Sequence, residues 1–369
     1  MNMKIVLGMS GGVDSSVCAY LLKKQHYDVI GLFMQNWDPY VNFDFKGHVN
    51  DNTKTCDAQR DFSDAKKIAD KLKIKIYYTQ FIKKYWDKIF KYVINEYKSG
   101  NTPNPDILCN KYIKFDEFIK YAKNHFNCEK IAMGHYAKVI HKNNQYYLCK
   151  SKCKEKDQTY FLCWLNQKQL ACVNFPLGNI ISKTKVRKIA HKQNLINWNK
   201  KDSTGICFIG ERKFHEFLKN YIDIKKGNIV DIDTKEIVGK HDGISFYTIG
   251  QNKSLGLGGN QIKYYVCKKD VNRNILYVTC ENNKMKNLSS TSCELINFNW
   301  INDNKQWEDK KITVKFRYQM KEIPCDFIIE DKKVILKYKP TLSVTPGQFA
   351  VLYCKNFCLG GGIINKIIK

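Results

Sequence analysis

The feature that most constrains this chain is a glycine turn that joins an apolar run to a helical pattern within the first 25 residues. Lys4 to Met9 is a short apolar run typical of a strand, Ser10-Gly-Gly12 interrupts it, and Val13, Val17 and Leu21 recur at helical spacing. A strand that turns through glycine into a helix leaves backbone N–H groups unbonded at the helix start, and these groups and the helix dipole attract phosphate. The sequence therefore predicts a phosphate-binding loop at a strand–helix junction.

The side chains of this loop narrow the kind of phosphate site. Ser10, Ser15 and Ser16 add hydroxyl donors, and Asp14 could hold a Mg²⁺ ion that the phosphates share. The loop is not a Walker A motif because it has no lysine of its own, and it does not match G-x-G-x-x-G. The string Ser10-Gly-Gly-Val-Asp-Ser-Ser16 resembles the PP-loop of the ATP pyrophosphatase family, whose members cut ATP between the α and β phosphates and pass AMP to a carbonyl oxygen. The alternative is an ordinary strand–helix turn that favours glycine.

The charge of the chain indicates a polyanionic partner. Its 369 residues include 62 Lys+Arg and 35 Asp+Glu, for a formal net charge of +27. Such an excess is most simply explained by nucleic-acid binding. The alternative is a compositional bias toward lysine on solvated faces.

The cysteines and apolar runs bear on location. The 15 cysteines are scattered without C-x-x-C pairs or zinc-finger spacing. No signal-peptide core and no stretch long enough for a membrane span is evident. We therefore expect a cytoplasmic protein with no membrane association, reduced thiols and mostly buried, inert cysteines.

Strands and helices alternate in the first half of the chain. Apolar runs near residues 4–9, 29–34, 74–79 and 130–133 alternate with helical patterns, which predicts an α/β fold with a doubly wound parallel sheet. Ligands of such sheets bind at the carboxyl ends of the strands. Gly8, Met34, Gly134 and His135 would all lie at that edge. The polar stretch 38–55 is expected to be a lid or a disordered loop.

From about residue 211 short strands take over. We expect a catalytic domain at 1–210, a small central α+β domain at 211–282 and a C-terminal β-barrel at 283–369. The patterns further predict a hairpin at 137–150, a strand at 245–248 and a glycine turn at 360–362 that leads into the last strand. In the strand near 312–318, Lys315 and Arg317 alternate with core residues and should point outward.

Two cysteines lie in segments whose composition sets them apart. Pro103 and Pro105 should hold an extended, stiff loop that carries Asp106 and Cys109, with lysines nearby that would lower the pKa of the thiol. Cys207 lies in a turn-rich segment after two lysines. The alternative is that each is one of many inert cysteines.

Five motifs, in the same order along the chain, resemble the tRNA-specific 2-thiouridylase family. They are Gly8-Met-Ser-Gly-Gly-Val-Asp-Ser-Ser16, Thr102-Pro-Asn-Pro-Asp-Ile-Leu-Cys-Asn110, Ala132-Met-Gly-His-Tyr136, Asp202-Ser-Thr-Gly-Ile-Cys-Phe-Ile-Gly210 and Thr345-Pro-Gly-Gln-Phe-Ala350. The likeness extends from residue 4 to about 365. It implies an adenine-nucleotide alpha-hydrolase-like catalytic domain and ATP-dependent 2-thiolation of the wobble uridine in tRNA.

The resemblance also implies residue roles. Asp106 would be a general acid/base, Cys207 would carry sulfur as a persulfide received from a donor protein, and Cys109 would attack that persulfide to leave a Cys109–Cys207 disulfide. ATP, with Mg²⁺, would bind Gly8, Met9, Ser10, Gly11, Gly12, Val13, Asp14, Ser15, Met34 and Gly134. The target base would meet Asn104, Pro105 and Asp106. The anticodon stem-loop of the tRNA would meet His135, Lys156, Asp157, Gln158, Arg317, Tyr318 and Gln348.

Other interpretations remain open at this point. His135 could be a satisfied histidine at a strand end, and Arg317 a solvated strand residue. The chain could be another PP-loop RNA-modifying ligase, which would need no persulfide pair. It could also be a non-catalytic RNA-binding protein that retains the loop.

Overall fold

The first half of the chain forms a parallel sheet with helices on both faces. The computed structural model describes residues 2–48, 57–202, 205, 209, 212–257 and 262–368. The elements of this half, in chain order, are β1 (Lys4–Gly8), α1 (Val13–Lys24), β2 (Asp28–Gln35), α2 (Asp57–Lys71), β3 (Lys75–Gln80), α3 (Ile82–Tyr85), α4 (Lys91–Lys98), α5 (Pro105–Cys109), α6 (Phe118–Phe126), β4 (Lys130–Ala132), β5 (Ala137–Lys142), β6 (Gln145–Lys150), α7 (Gln167–Cys172), β7 (Val173–Asn174) and α8 (Lys183–Lys192).

The parallel sheet has the strand order β3–β2–β1–β4–β7. Side chains along β1 and β2 alternate between two cores, because successive residues of a strand point to opposite faces. Val6 and Leu32 belong to one buried cluster, and Leu7 and Phe33 belong to the other. The predicted doubly wound α/β fold is confirmed, and the carboxyl ends of β1, β2 and β4 meet at one edge.

The segment with two prolines differs from the prediction. Pro105–Cys109 is helical, not extended, and it continues through a π-helical stretch at Asn110–Glu117 into α6. Asn104 caps the helix, since its Oδ1 accepts from the backbone N–H of Ile107 at 3.4 Å. Proline is favoured at the first helical position, where its missing N–H costs nothing. The expectation of a stiff extended loop was therefore wrong for Asp106 and Cys109.

The second half of the chain consists mainly of strands. Its elements are α9 (Phe214–Leu218), β8 (Gly227–Asp231), β9 (Ile237–His241), β10 (Tyr264–Asp270), β11 (Ile275–Cys280), α10 (Lys284–Leu288), β12 (Ser289–Trp300), β13 (Ile312–Lys315), β14 (Ile323–Glu330), β15 (Lys333–Leu342), β16 (Phe349–Cys354) and β17 (Phe357–Ile368). A central sheet has the order β10–β11–β8–β9. The strand predicted at 245–248 is wrong: Ile244–Phe246 is a 3₁₀ turn whose three residues are buried.

The C-terminal strands close into the predicted β-barrel. The order β12–β15–β14–β13–β16–β17 closes because β12 also pairs with β17. The predicted turn at Gly360 is wrong, since β17 continues through it. A Cβ at Gly360 would lie 1.9 Å from the carbonyl oxygen of Asn299, so glycine is needed there for close strand contact. The predicted hairpin β5–β6 joins this sheet through Phe357, which pairs with Cys149.

The stretch after β2 is ordered by specific contacts over its described part, residues 38–48. Asp44 is fully buried and accepts from the Trp37 indole N–H at 3.0 Å and from the Arg212 guanidinium at 3.0 Å. Tyr221 donates its hydroxyl to the carbonyl oxygen of Asn42. Disorder is therefore wrong for residues 38–48, the lid alternative stays a prediction, and 49–56 lie outside the described residues. Over the described ranges, no helix is long and apolar enough to cross a bilayer.

Candidate nucleotide and sulfur-transfer site

The glycine loop between β1 and α1 leaves the helix N-terminus open. Gly12 is the N-cap of α1, and over the part of the chain that the structure describes no side chain caps this helix end. The first N–H groups of a helix have no partner within the helix, so those of Val13, Asp14 and Ser15 are available to a ligand. Gly11 has φ +74°, and a Cβ there would lie 2.2 Å from the carbonyl oxygen of Asp61. This turn therefore depends on glycine both for its conformation and for its packing.

Serine hydroxyls hold the loop in shape. Ser15 and Ser16 donate to the carbonyl oxygen of Gly12 at 3.0 and 2.9 Å, and the Ser10 N–H donates to Ser15 Oγ at 3.3 Å. Met9, just before the loop, and Val13, just after it, are buried in the same apolar cluster. The loop is thus fixed by its own side chains before any ligand binds, which limits the entropy lost on binding.

Two further glycines leave room beside the loop. A Cβ at Gly134, which follows β4, would lie 3.3 Å from the Ser15 nitrogen. A Cβ at Gly8 would lie 2.6 Å from Met133 Sδ and 3.7 Å from Met34 Cε. The described residues therefore fit a nucleotide, with backbone N–H groups for phosphate and the Met34 side chain beside the loop.

Asp14 in the first turn of α1 joins a network of charged groups. Its Oδ1 accepts from the Tyr136 hydroxyl at 2.8 Å, and its Oδ2 lies 2.8 Å from Lys183 Nζ. The same Lys183 amine lies 2.8 Å from Asp202. Burial together with the nearby Asp14 charge raises the pKa of Tyr136, so its phenol stays a donor. Among the described residues, no group of three or more His, Cys, Asp or Glu side chains is arranged to hold a metal ion.

Asp202 accepts from three cations. Besides Lys183, it accepts from Lys156 at 2.9 Å and from Arg187 at 3.1 Å. Partial burial acts to raise the pKa of Asp202, but the hydrogen bonds and charges of Lys183 and Lys156 lower it to about 2. Asp202 is therefore ionised throughout the neutral range, and these three cations hold its carboxylate near Asp14 of the glycine loop.

Cys109 and Asp106 lie on one helix, α5. Cys109 is fully buried and belongs to the same apolar cluster as Val6, Leu32 and Met133. Asp106 is partly exposed in the first turn of α5, and its charge acts after burial to raise the pKa of the nearby Tyr97. Cys207 lies outside the described residues, so its distance from Cys109 stays a prediction.

His135 is enclosed by aromatic rings. It is 9% exposed, packs at 5.6 Å from Phe115 and 5.9 Å from Phe175, and its Nδ1 has no hydrogen-bond partner among the described residues. Burial, and then the charge of Lys114, hold the pKa of His135 well below its usual value. The ring is therefore neutral at pH 7, with one unsatisfied nitrogen at the end of β4.

The three-residue segment 156–158 is engaged within the protein. Lys156 binds Asp202 as described, and the Asp157 carboxylate accepts from the Ser151 N–H at 2.8 Å and from the Thr159 hydroxyl at 2.6 Å. Burial raises the pKa of Asp157 against these hydrogen bonds. Gln158 Oε1 accepts from the Tyr136 N–H at 2.9 Å. These contacts attach the segment to the strand edge near Gly134.

Gln348 and Arg317 join separate parts of the fold. Gln348 Nε2 donates to the carbonyl oxygen of Thr102 at 2.8 Å, just before the α5 cap. The Arg317 guanidinium donates to the carbonyl oxygens of Ile249 at 2.9 Å and Ser343 at 3.1 Å. Tyr318 stacks at an angle on Phe161, 4.5 Å between centroids. Arg317 is exposed, as the alternation along the strand predicted, but its guanidinium bonds to protein carbonyl oxygens and does not lie free in solvent.

The structure brings one set of predicted residues together and leaves another apart. The glycine loop, Met34, Gly134 and His135 lie at the carboxyl edge of the sheet, whereas Arg317, Tyr318 and Gln348 lie at the junction with the barrel. Sequence reasoning assigned no role to Lys183 or Asp202. Asp202 opens a motif that we had recognised, but Lys183 resembles any other residue of a basic helix, and no local signal distinguishes it.

Three family models match successive parts of the chain. A model described as "tRNA methyl transferase HUP domain" matches residues 3–211. One described as "tRNA methyl transferase PRC-barrel domain" matches 215–280, and one described as "Aminomethyltransferase beta-barrel domain" matches 290–364.

Curated relatives match over the whole chain. The tRNA-specific 2-thiouridylase MnmA of Mycoplasma mycoides is 52% identical over 377 aligned residues, covering 100% of both chains. The protein of that name from Malacoplasma penetrans is 52% identical and covers 99% of both chains, and that from Mesoplasma florum is 48% identical over 100% of both. The family models are thus described by methyl transfer, whereas these full-length relatives are named for thiolation.

Proposed function

The chain belongs to the tRNA-specific 2-thiouridylase family, and from this premise we propose that it catalyses ATP-dependent 2-thiolation of the wobble uridine of tRNA. The full-length identity of 52% to a named 2-thiouridylase carries this conclusion. The open helix N-terminus beside Gly134 supports it, because thiolation of this kind consumes ATP. The relatives named for thiolation match this chain over its whole length and over theirs, so they support thiolation and not methyl transfer.

The first proposed step activates the base. The C2 oxygen of uridine attacks the α phosphate of ATP, releases pyrophosphate and leaves the oxygen as part of an AMP leaving group. The N–H groups at the start of α1 would hold the phosphates, with Met34 and Gly134 beside the nucleoside. Mg²⁺ bound with ATP would supply charge neutralisation, and Asp14 is the carboxylate that could reach it. Asp106 would exchange a proton with the base from the first turn of α5, near Asn104 and Pro105.

The second proposed step transfers sulfur. Cys207 carries a persulfide delivered by a sulfur-donor protein, and the Cys109 thiolate attacks the Cys207 sulfur. This attack forms the Cys109–Cys207 disulfide and releases hydrosulfide, which replaces AMP at C2. A thiol reductant must then reduce the disulfide before the next turnover. Because Cys109 is buried, the reaction requires a rearrangement that exposes its sulfur.

The proposed tRNA contacts divide into two groups. We propose that His135, Lys156, Asp157 and Gln158 shape the entrance for the anticodon loop, whose target base can be splayed out of the stack. We propose that Arg317, Tyr318 and Gln348 support tRNA binding indirectly, by holding the barrel against the segments near Thr102 and Ile249. Arg317 and Gln348 already bond to protein carbonyl oxygens there. Reduced thiols, ATP and tRNA are all required, so we assign the reaction to the cytoplasm.

Thiolation of purified tRNA tests the proposal. The protein is incubated with unmodified tRNA, ATP and a persulfide source, and digested nucleosides are measured by mass spectrometry. We expect 2-thiouridine with the wild type and none with Cys109→Ser or Cys207→Ser, while tRNA binding persists. Cys172→Ser, at a partly exposed cysteine outside the scheme, should retain activity. Full thiolation by Cys207→Ser would instead favour a PP-loop enzyme that needs no persulfide, and no AMP release in any variant would favour a binding protein.

A further inference from the structure

The glycine loop has no lysine of its own, but α8 places one beside it. Lys183, the first residue of α8, lies 169 residues from Asp14 in sequence and places its amine 2.8 Å from the Asp14 carboxylate. Asp14 is in the first turn of α1, whose N–H groups face the phosphate site. The Lys183 side chain is 14% exposed, so its charge is only weakly screened by solvent.

Asp202, the second partner of Lys183, holds the Lys183 amine in place but does not depend on it alone for charge balance. Asp202, at 2.8 Å, also accepts from Lys156 and Arg187, so it keeps two cations if Lys183 turns away. Within the ion-pair cluster that joins Asp14 and Asp202, three cations face two carboxylates, and the neighbouring Lys200 pairs separately with Asp61 and Asp64. This cluster is therefore positive beside the helix N-terminus, which suits a polyanion and not a neutral ligand.

We propose that Lys183 is a nucleotide-binding residue whose amine contacts the β and γ phosphates of ATP. The inference rests on the proposed function, since it assumes that the loop binds ATP. A triphosphate entering the loop brings several negative charges close to Lys183, and rotation of its four-carbon stem moves the amine from Asp14 to phosphate while Asp202 remains beside it. Lys183 thus supplies from a distant helix the cation that other phosphate loops carry within their own sequence.

A purely structural role for Lys183 makes a different prediction. If the amine only holds α8 against α1, its loss would lower stability and weaken all adenine nucleotides equally. If it contacts the β and γ phosphates, its loss would weaken ATP but not AMP, which lacks those groups. The ratio of the AMP and ATP dissociation constants separates the two roles.

Calorimetric titration of the full-length protein with ATP and with AMP, both in the presence of Mg²⁺, provides the test. We expect Lys183→Met to weaken ATP binding about 30-fold, within the range for loss of one charged hydrogen bond, and AMP binding less than about 3-fold. Lys183→Arg should retain most of the ATP preference. Lys188→Gln, at an exposed lysine of the same helix that lies outside this cluster, should leave it unchanged.

The outcomes are distinguishable. An unchanged ratio of AMP to ATP dissociation constants in Lys183→Met overturns the inference, whether neither nucleotide is weakened or both are weakened equally. If Lys183→Met does not fold in a thermal scan, Lys183→Gln, which keeps a hydrogen-bond donor without the charge, is measured for the same ratio. Wild-type protein that binds neither nucleotide would refute the proposed ATP site itself, whereas wild-type binding with an unaltered variant ratio refutes only the role of Lys183.

Discussion

At the scale of single residues, the glycines of the nucleotide site have separable functions. We expect Gly134→Ala to weaken ATP binding about tenfold, because its Cβ would lie 3.3 Å from the Ser15 nitrogen and cover an N–H that phosphate uses. Gly11→Ala should instead destabilise the fold, since φ is +74° and the Cβ would meet the Asp61 carbonyl oxygen. Calorimetry with ATP and thermal unfolding of both variants check this. A large loss of melting temperature in Gly134→Ala without loss of ATP affinity would contradict it.

A second residue, His135, should make stability depend on pH. Its pKa is lowered in the folded protein, mainly by burial, so below pH 6.5 the unfolded chain takes up a proton that the native ring does not. The native state is thus fully stable above pH 6.5 and loses up to about 1.4 kcal/mol per pH unit below it. His135→Phe should remove this component of the free energy of unfolding, measured with urea from pH 7 to 5. His125→Gln, at an exposed histidine, should keep the wild-type slope, and an unchanged slope in His135→Phe would disprove the assignment.

At the scale of elements, the stretch 38–48 is anchored by a buried ion pair. We expect Arg212→Met to cost about 3–5 kcal/mol of unfolding free energy, because it leaves the Asp44 charge buried without its guanidinium. The double variant Asp44→Asn/Arg212→Met should recover part of this loss. Lys219→Met, which removes a partly exposed pair with Glu216, should cost less than about 1 kcal/mol. Urea unfolding of the four proteins measures these energies, and equal costs for Arg212→Met and Lys219→Met would refute the anchoring role.

The elements that sequence predicted well are those with local periodicity. The runs near residues 4–9 and 29–34 became β1 and β2 because a continuous apolar run, which a strand buried on both faces needs, is a local property of the sequence. The hairpin β5–β6 was predicted, but its place beside β17 was not, since pairing partners far apart in sequence leave no local signal. The segment 245–248 has a strand-like composition, but Ile244–Phe246 is a buried 3₁₀ turn. Apolar residues are buried in either conformation, so composition alone does not distinguish the two.

The same distinction applies to the candidate site. The glycine loop could be predicted because its chemistry is contiguous from Gly8 to Ser16. The Asp14–Lys183–Asp202 network could not, since it depends on how α8 packs against α1. The prolines before Cys109 led to a wrong prediction of extended structure, because proline has the same φ in a first helical turn as in an extended segment. The division at 210 and 282 stays a prediction.

At the scale of the whole molecule, the barrel and the segment between β9 and β10 both bond to Thr102, just before α5. Gln348 from the barrel bonds to Thr102, whose N–H in turn donates to the carbonyl oxygen of Pro346 at 3.1 Å. Arg317 bonds the barrel to Ile249 of the segment between β9 and β10. The start of α5, where Asn104 and Pro105 would meet the target base, is therefore held by the barrel. A tRNA bound to the barrel would thus help to position its target base at α5.

The charge-driven and structural roles of Arg317 give opposite expectations for salt dependence. With a net charge of +27, tRNA affinity should fall steeply as salt rises, and each lost phosphate contact should reduce the logarithmic slope by about 0.7–0.9. Because Arg317 already donates to two carbonyl oxygens, we expect Arg317→Gln to lower the melting temperature and leave the slope unchanged. Lys321→Gln, at an exposed lysine four residues on, should leave the melting temperature unchanged. Filter binding of tRNA between 50 and 300 mM KCl measures the slope, roughly spanning the range in which counterion release dominates. A reduced slope with an unchanged melting temperature in Arg317→Gln would show instead that its guanidinium binds phosphate directly.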